Sequence, residues 1–116
     1  MPTILIVDDE AIIRTLVRLT LEPQGYDVVE AAEGVEALAL AEAHQPDLAL
    51  LDIALPHLSG LEVARRLGDR TPVLFLTGLA PEADAVDGRG VRGSIEKPFS
   101  PAALLRRIEE TLASAA

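Results

Sequence analysis

The sequence predicts an α/β domain whose parallel sheet carries helices on both faces. Short apolar runs alternate with segments of helical periodicity five times, and the links between them are short. Strands joined by single helices through short links pair in parallel, and a parallel sheet needs a layer of helices on each face. The run from Leu48 to Leu51 supports this class, because it is apolar without a break, as expected for a strand buried on both sides.

Five strands are predicted from apolar runs bounded by turn residues. The first is rich in branched side chains, whereas the second gives a weaker signal because Asp27 and Glu30 flank its two central valines. In chain order, the predicted strands are Thr3 to Val7, Tyr26 to Ala31, Leu48 to Asp52, Val73 to Leu76 and Ser94 to Glu96.

Apolar side chains at helical spacing predict a helix after each strand, although the fourth is only a short one near residues 82–87. Ser59 with Glu62 fits a capping box at the start of the third helix, and Ser100 followed by Pro101 fits the start of the last. The predicted apolar faces comprise Ile12, Ile13, Leu16, Val17, Leu19 and Leu21 in the first helix, Val35, Leu38 and Ala41 in the second, Leu61, Ala64 and Leu67 in the third, and Leu104, Leu105, Ile108 and Leu112 in the last.

The composition fits one packed domain that spans residues 1–116. Hydrophobic residues make up 49% of the chain, which is enough for a globular core and argues against disorder. The net charge of −9 argues against nonspecific nucleic-acid binding, and one tyrosine with two phenylalanines leaves little to stack on bases. The absence of cysteine excludes disulfides and is compatible with the cytoplasm. The first apolar run is too short for a signal peptide or a membrane span.

Polar residues stand at the predicted carboxyl ends of four strands. Asp8 and Asp9 follow the first strand, Asp52 ends the third, Thr77 follows the fourth and Lys97 follows the fifth. A single aspartate at a strand end is more often a turn or helix-cap residue than a functional one. In a parallel sheet, however, these ends share one edge, where open α/β sheets bind their ligands. The sequence therefore predicts one site with three carboxylates, one hydroxyl and one ammonium.

The chemistry of this set points to a divalent cation and a phosphoryl group. Three carboxylates in one pocket repel each other, and their pKa values rise, unless a cation is bound. Ligands that are all oxygen atoms favour a hard ion, and Mg²⁺ fits best because it takes one or two carboxylates together with waters and phosphate oxygens. A fixed lysine can stabilise a transferring phosphoryl group, and a carboxylate can act as the nucleophile and form an acyl phosphate.

This assembly resembles the receiver domain of two-component response regulators, the CheY-like family. The resemblance covers the whole chain and implies a flavodoxin-like (βα)5 three-layer sandwich with a parallel five-stranded sheet of order 2-1-3-4-5. The matching motifs are Ile6-Val7-Asp8-Asp9-Glu10, Leu51-Asp52-Ile53-Ala54-Leu55-Pro56 with Ser59-Gly60 after it, Leu76-Thr77-Gly78, and Lys97-Pro98-Phe99.

The resemblance implies a role for each matching residue. Asp52 is expected to be the phosphoacceptor. Asp9, Asp52 and the backbone carbonyl of Ala54 are expected to bind Mg²⁺, with Asp8 close by. Thr77 is expected to hydrogen-bond the acyl phosphate.

Lys97 is expected to pair with a phosphate oxygen, or with Asp52 before phosphorylation. The resemblance also implies a cis peptide bond between Lys97 and Pro98.

The resemblance further implies a signalling role instead of a general enzymatic one. The chain is expected to catalyse only its own aspartyl phosphorylation and dephosphorylation, with a sensor histidine kinase or a histidine phosphotransfer protein as donor. Phosphorylation is expected to switch the face formed by the fourth predicted helix and the fifth strand. We expect a cytoplasmic monomer or weak dimer with an unknown output partner, no direct nucleic-acid contact and no membrane contact.

Three positions depart from the family pattern. Ser94 stands three residues before Lys97, where receivers usually have an aromatic residue, so the usual coupling of Thr77 to the surface is in doubt. We hypothesise that Leu79 and residues 81–90 read out phosphorylation instead. Ala54 and Leu79 flank the attacking water in the family, and neither can orient it by hydrogen bonding, so we expect slow loss of the phosphoryl group from Asp52.

Three other functions remain open from the sequence. A degenerate receiver would keep the fold and act as a phosphorylation-independent protein-binding module, and Ser94 leaves this possible. A Mg²⁺-dependent phosphatase would need a substrate pocket and a general acid, for which no candidate stands out. A flavin-binding protein would need a phosphate-cradling loop after the first strand, where Asp8, Asp9 and Glu10 would instead repel phosphate.

Overall fold

The computed structural model describes residues 1–78 and 90–114. The strands within these ranges form one sheet of five parallel strands in the order β2-β1-β3-β4-β5, which confirms the predicted fold class and strand order. The strands are β1 (Thr3–Val7), β2 (Asp27–Ala31), β3 (Leu48–Asp52), β4 (Val73–Thr77) and β5 (Val91–Glu96).

The described residues also form four α-helices, which lie on both faces of the sheet. Helices α2 and α3 pack on one face and α1 and α4 on the other. None of the helices in the described ranges is long and apolar enough to cross a membrane. The helices are α1 (Ala11–Leu21), followed by a 3-10 turn (Glu22–Gln24), α2 (Gly34–His44), α3 (Gly60–Leu67) and α4 (Pro101–Ser114).

The continuous apolar runs of the sequence are explained by the two layers of the core. Successive side chains of a strand point to opposite faces of the sheet. When helices cover both faces, the residues at odd and at even positions of the strand must therefore all be apolar. The side of α2 and α3 receives Leu5, Val7, Ala49, Leu51, Val73 and Phe75, and the side of α1 and α4 receives Ile4, Ile6, Leu48, Leu50, Leu74 and Leu76. The result is a rigid sheet whose carboxyl edge holds the candidate site.

Three residues predicted on the apolar helix faces are exposed instead. Ile12 is 80% exposed, Leu19 68% and Val35 61%. In α1 the fully buried positions are Val17 and Leu21, and at 100° per residue Ile12 and Leu19 fall outside that stripe. The buried stripes of α1 and α2 are therefore narrower than the predicted apolar faces.

The boundaries of the strands differ from prediction mainly at β5. This strand begins at Val91 instead of Ser94, and its register with β4 shifts between Val73 and Leu74. Gly93 has φ of 138°, a conformation that favours glycine. Because a glycine interrupts the alternation of apolar and polar side chains, the start of β5 gives no strand signal in the sequence. The short helix predicted near residues 82–87, and the readout proposed for Leu79 and residues 81–90, lie outside the described residues.

The predicted helix caps are present, with one difference. Ser59 Oγ accepts a hydrogen bond from the backbone N–H of Glu62 at 3.3 Å, and Ser100 Oγ accepts one from Ala103 at 3.1 Å. The carboxylate of Glu62, however, accepts hydrogen bonds from Arg65 at 3.3 Å instead of completing a capping box. The third helix therefore starts with half of the predicted motif.

Gly60 places the start of α3 directly against the end of β3. Its N–H donates to the carbonyl of Ile53 at 2.9 Å. A Cβ at this position would collide with the carbonyl oxygen of Asp52 and lie 2.9 Å from the Cα of Ile53. Because both contacts are with backbone atoms, only glycine allows this close approach.

An ion-pair network joins α1 to the edge strand β2. Glu30 on β2 accepts hydrogen bonds from Arg14 Nε at 3.1 Å and from Arg18 Nε at 2.7 Å. The hydrogen bond from Arg18, assisted by the one from Arg14 and by both charges, lowers the pKa of Glu30 despite its partial burial. The network therefore stabilises the folded state while Glu30 is ionised.

We predict that Gly60→Ala lowers the free energy of unfolding by about 1–3 kcal/mol, because the added methyl group must displace the backbone at Asp52 and Ile53. Urea unfolding followed by circular dichroism measures the change. Gly78→Ala is the matched control, since a Cβ there meets no atom within 4 Å among the described residues. Equal stabilities of the two variants would contradict the prediction.

We predict that Glu30→Gln lowers the free energy of unfolding by about 1 kcal/mol at neutral pH. The folded-state pKa of Glu30 is depressed, so its stabilisation is present above the unfolded-state pKa and is lost as the pH falls through the folded-state pKa. The gap between wild type and variant should therefore close in acid. Urea titrations across this range test the prediction, with the exposed Glu110→Gln as control; a gap independent of pH would refute it.

Candidate functional site

Four predicted site residues meet at the carboxyl edge of the sheet. Asp52 ends β3 and pairs in register with Leu76, one residue before Thr77 at the end of β4. Asp8 follows β1, and Lys97 follows β5, where its backbone N–H donates to the carbonyl of Thr77 at 2.7 Å. Parallel pairing thus places residues that are far apart in the sequence at one edge.

Lys97 is the centre of this arrangement. Its ammonium donates to Asp8 Oδ2 at 2.8 Å and lies 3.5 Å from Asp52 Oδ2 and 3.8 Å from Glu10 Oε1. The resemblance implied pairing with Asp52, and the structure shows that contact together with a shorter one to Asp8. Burial alone would lower the pKa of Lys97, but the hydrogen bond from Lys97 to Asp8 and the surrounding carboxylates raise it, so the ammonium stays charged.

Asp52 is a buried carboxylate with two defined oxygen environments. The residue is 7% exposed, Oδ1 accepts a hydrogen bond from the backbone N–H of Ala54 at 3.2 Å, and Oδ2 faces Lys97. Burial raises the pKa of Asp52, and the nearby charge of Asp8 raises it further, although Lys97 and the Ala54 amide oppose both effects. A perturbed pKa in a buried carboxylate at the carboxyl edge of the sheet marks Asp52 as a candidate functional residue.

The turn after β1 forms an acidic cluster. Asp8 is fully buried, and its Oδ1 accepts a hydrogen bond from the backbone N–H of Glu10 at 2.9 Å, while Asp9 and Glu10 are exposed. Within the described residues, carboxylate oxygens of Asp8, Asp9 and Glu10 lie within 4.8 Å of one another. Glu10 was not among the predicted metal ligands, although its place next to Asp9 was a usable signal.

The donor chemistry of this edge fits a hard divalent cation. Its side-chain donors are carboxylate oxygens, one ammonium faces three carboxylates, and the outer two residues of the turn are open to solvent. Mg²⁺ prefers such oxygen ligands and keeps several waters. The predicted ligands Asp8, Asp9 and Asp52 lie at this edge, and the ligand role of the Ala54 carbonyl stays a prediction.

Two further predictions concern the neighbourhood of Lys97 and Thr77. The peptide bond between Lys97 and Pro98 is cis, as predicted. Thr77 is buried at the end of β4, and its hydrogen-bonding role toward an acyl phosphate stays a prediction. Ser94 pairs in register with Phe75 and is partly buried, so a small hydroxyl occupies this position of β5.

An apolar depression adjoins the site on the side of α1. It has a volume of about 340 Å³, and its lining includes two residues of the candidate site, Glu10 and Lys97. The sequence analysis did not find it, because its walls come from α1 and from the segment after β5. The lining residues are Glu10, Ile13, Leu16, Lys97, Pro98 and Phe99.

Known proteins match both the sequence and the fold. The family model "Response regulator receiver domain" matches residues 4–109. The chain is 44% identical over 114 residues to the alkaline phosphatase synthesis transcriptional regulatory protein PhoP of Bacillus subtilis, covering 94% of this chain and 48% of that protein. It is 43% identical over 117 residues to the phosphate regulon transcriptional regulatory protein PhoB of Pseudomonas aeruginosa, covering 95% and 51%. The chain thus spans about half the length of these curated relatives.

Solved structures agree with the sequence matches. The chemotaxis protein CheY4 of Vibrio cholerae superimposes with a TM-score of 0.88 at 34% identity, covering 96% of this chain and 98% of that one. A CheY-like receiver domain protein of Methanospirillum hungatei gives a TM-score of 0.89 at 35% identity, with 98% and 95% covered. The fold, the edge of the sheet and these matches together show that the chain belongs to the receiver-domain family of two-component response regulators.

Proposed function

We propose that the chain accepts a phosphoryl group on Asp52 from a phosphohistidine of a sensor histidine kinase or a histidine phosphotransfer protein. The observation that carries this proposal is the position of the Lys97 ammonium, between the buried carboxylates of Asp8 and Asp52. A buried carboxylate next to a fixed cation and an acidic cluster suits an in-line transfer, in which most of the catalysis is positioning and charge stabilisation.

In the proposed reaction, a carboxylate oxygen of Asp52 attacks the phosphorus atom. The new O–P bond forms as the P–N bond of the donor breaks, and the departing imidazole takes up a proton. The amide of Ala54 holds Oδ1, which fixes the carboxylate while it reacts. Lys97 then pairs with the transferred phosphoryl oxygens, whose added charge competes with Asp8 for the ammonium.

We propose that Asp8, Asp9, Asp52 and the backbone carbonyl of Ala54 hold Mg²⁺, with Glu10 as an additional carboxylate at the same turn. When bound, Mg²⁺ neutralises charge on these carboxylates and on the phosphoryl oxygens. The acidic residues of this chain supply the oxygen ligands, and the Lys97 ammonium, which contacts both Asp8 and Asp52, joins the turn to the end of β3.

We propose that Thr77 transmits the effect of Asp52 phosphorylation to the rest of the domain. Its hydroxyl donates to the phosphoryl group, and its backbone carbonyl already binds the amide of Lys97, so a shift at the end of β4 reaches β5 directly. Ser94 offers no ring to move in response. The output is therefore carried by the segment after Thr77 and by β5 without an aromatic switch.

The phosphodonor is proposed to dock at the apolar depression beside Lys97. This surface includes Lys97, whose ammonium lies 3.5 Å from Asp52 Oδ2, and Ile12, next to Ile13 in α1, presents an apolar side chain that is 80% exposed. The named relatives are transcriptional regulators about twice as long as this chain, and we propose gene regulation as the output of a longer regulator that contains it. We propose that this domain itself makes no direct contact with nucleic acid, and its net charge of −9 supports the proposal.

A second candidate, the degenerate receiver, is favoured by one observation. Ser94 replaces the ring that usually links the site to the surface, so a binding module could retain the fold without responding to phosphate. The following experiment separates the two functions.

We predict that acetyl phosphate with Mg²⁺ adds one phosphoryl group to the wild-type protein, seen by intact mass spectrometry. Asp52→Ala should gain none, because the nucleophile is lost, and chelation of Mg²⁺ should prevent labelling of the wild type. Asp69→Ala, which removes an exposed aspartate remote in sequence from the site motifs, is the matched control and should label normally. Labelling of Asp52→Ala would refute the assignment, and an unlabelled wild type would favour the degenerate receiver.

We also predict that the phosphoryl group leaves Asp52 slowly, over many minutes or longer. Ala54 has no side-chain group that could orient a water for attack on the acyl phosphate. A radiolabel chase measures the lifetime, and Ala54→Asn, which supplies an amide, should shorten it. Loss within seconds in the wild type would contradict this expectation.

A further inference from the structure

Besides the hydrogen bond from Lys97 to Asp8, three further hydrogen bonds hold Asp8 in the acidic turn after β1, and the third comes from a residue to which the proposed mechanism gives no role. The backbone N–H of Asp8 donates to Ala31 on β2 at 3.1 Å, and the N–H of Glu10 donates to Asp8 Oδ1 at 2.9 Å. Arg14, on the first turns of α1, donates from Nη1 to the backbone carbonyl of Asp8 at 2.7 Å. That carbonyl belongs to the peptide that joins Asp8 to Asp9.

Arg14 is itself fixed on its other side. Its Nε donates to Glu30 Oε1 at 3.1 Å, its side chain is only 19% exposed, and the second carboxylate oxygen of Glu30 is bound by Arg18. A guanidinium is planar and rigid, so its Nε and Nη1 donors hold the Glu30 carboxylate and the Asp8 carbonyl in a fixed position relative to each other. The Asp8–Asp9 peptide is therefore connected to β2 through the paired side chains of Arg14 and Glu30.

We propose that Arg14 is a positioning residue for the acidic site: by fixing the peptide between Asp8 and Asp9, it sets the direction of the two carboxylates that receive Mg²⁺. This inference rests on the proposed function, which assigns those carboxylates to the ion. Residues that orient metal ligands without touching the metal commonly change affinity by about 10- to 100-fold when they are replaced.

The charge of Arg14 and its hydrogen bond predict opposite effects on Mg²⁺ binding. A cation near the site repels a divalent ion, so removing it should tighten binding if charge alone matters. If Arg14 acts by orienting the peptide, removing it should weaken binding. The sign of the change therefore distinguishes positioning from simple electrostatics.

Arg18 provides a matched control on the same helix. It donates to the same carboxylate of Glu30 and also to the carbonyl of Val28 at 3.0 Å, but its hydrogen bonds in the described part of the chain do not reach the acidic turn. Replacing Arg18 removes one positive charge and one ion pair with Glu30, as replacing Arg14 does. Arg18→Gln also removes the contacts with Val28 and Glu22, whereas Arg14→Gln removes the contact with Asp8.

The test compares Mg²⁺ binding of wild type, Arg14→Gln and Arg18→Gln by calorimetry and by amide shifts of Asp9 and Glu10, at a temperature where circular dichroism shows all three folded. We expect Arg14→Gln to bind roughly 10-fold more weakly, and Arg18→Gln to bind as well as wild type or slightly better. Labelling of Arg14→Gln by acetyl phosphate should recover at high Mg²⁺ concentration, because the nucleophile is intact.

If Arg14→Gln does not fold, Arg14→Lys replaces it, since an ammonium keeps the charge beside Glu30 without the planar fork and should weaken Mg²⁺ binding in the same direction. Equal or tighter binding by the Arg14 variant would overturn the inference. A wild type that binds Mg²⁺ but never labels at Asp52 would refute the proposed function alone. A wild type that labels, with equal Mg²⁺ affinity in both variants, would refute the inference alone.

Discussion

The contact between Lys97 and the carboxylates of Asp8 and Asp52 is the constraint on which the site depends. Asp8 is fully buried and Asp52 nearly so, and an unpaired charge in such a place costs several kcal/mol. One ammonium cannot neutralise two buried carboxylates and the partly facing Glu10, so the edge keeps an excess of negative charge. Burial and the nearby charge of Asp8 raise the pKa of Asp52, and the excess negative charge makes the edge attractive to a cation. The contact with Lys97 thus offsets part of the cost of burying these carboxylates, and the negative charge that remains favours a bound cation.

The sheet holds this imbalance in place. Its strands are apolar on both faces and are covered by two helical layers, so their carboxyl ends cannot move independently. The connections are equally constrained. Gly60 lets α3 begin against the backbone of Asp52, and the amide of Lys97 is bound to the carbonyl of Thr77. Backbone contacts thus join the end of β3 to the start of α3, and the end of β4 to the segment after β5.

The edge strand β2 contributes to the site although it carries none of its side chains. Ala31 accepts the amide of Asp8, and Glu30 holds the guanidinium that reaches the carbonyl of Asp8. A strand at the border of a sheet usually contributes least to rigidity, because it is paired on one side only. Here the ion pairs of Glu30 with Arg14 and Arg18 attach β2 to α1, and Arg14 connects this edge strand to the acidic turn.

The sequence by itself determined the fold class, the strand order implied by the resemblance, and the set of residues at the carboxyl edge. This was possible because unbroken apolar runs identify strands covered on both faces, and because parallel pairing forces their ends together. The exposure of Ile12 and Val35 was not predictable, since composition does not fix which side of a helix meets the sheet. The start of β5 was missed because Arg92 and Gly93 give no alternating pattern around the irregular register with β4.

Only the tertiary structure decided how the site residues are paired. The sequence could not show that Lys97 lies closer to Asp8 than to Asp52, that Glu10 joins the acidic cluster, or that Arg14 bridges Asp8 to Glu30. Each of these depends on distances of a few ångströms between side chains from different segments of the chain. Such distances follow from how layers pack and which rotamers the packing allows, and the local sequence pattern carries no record of them.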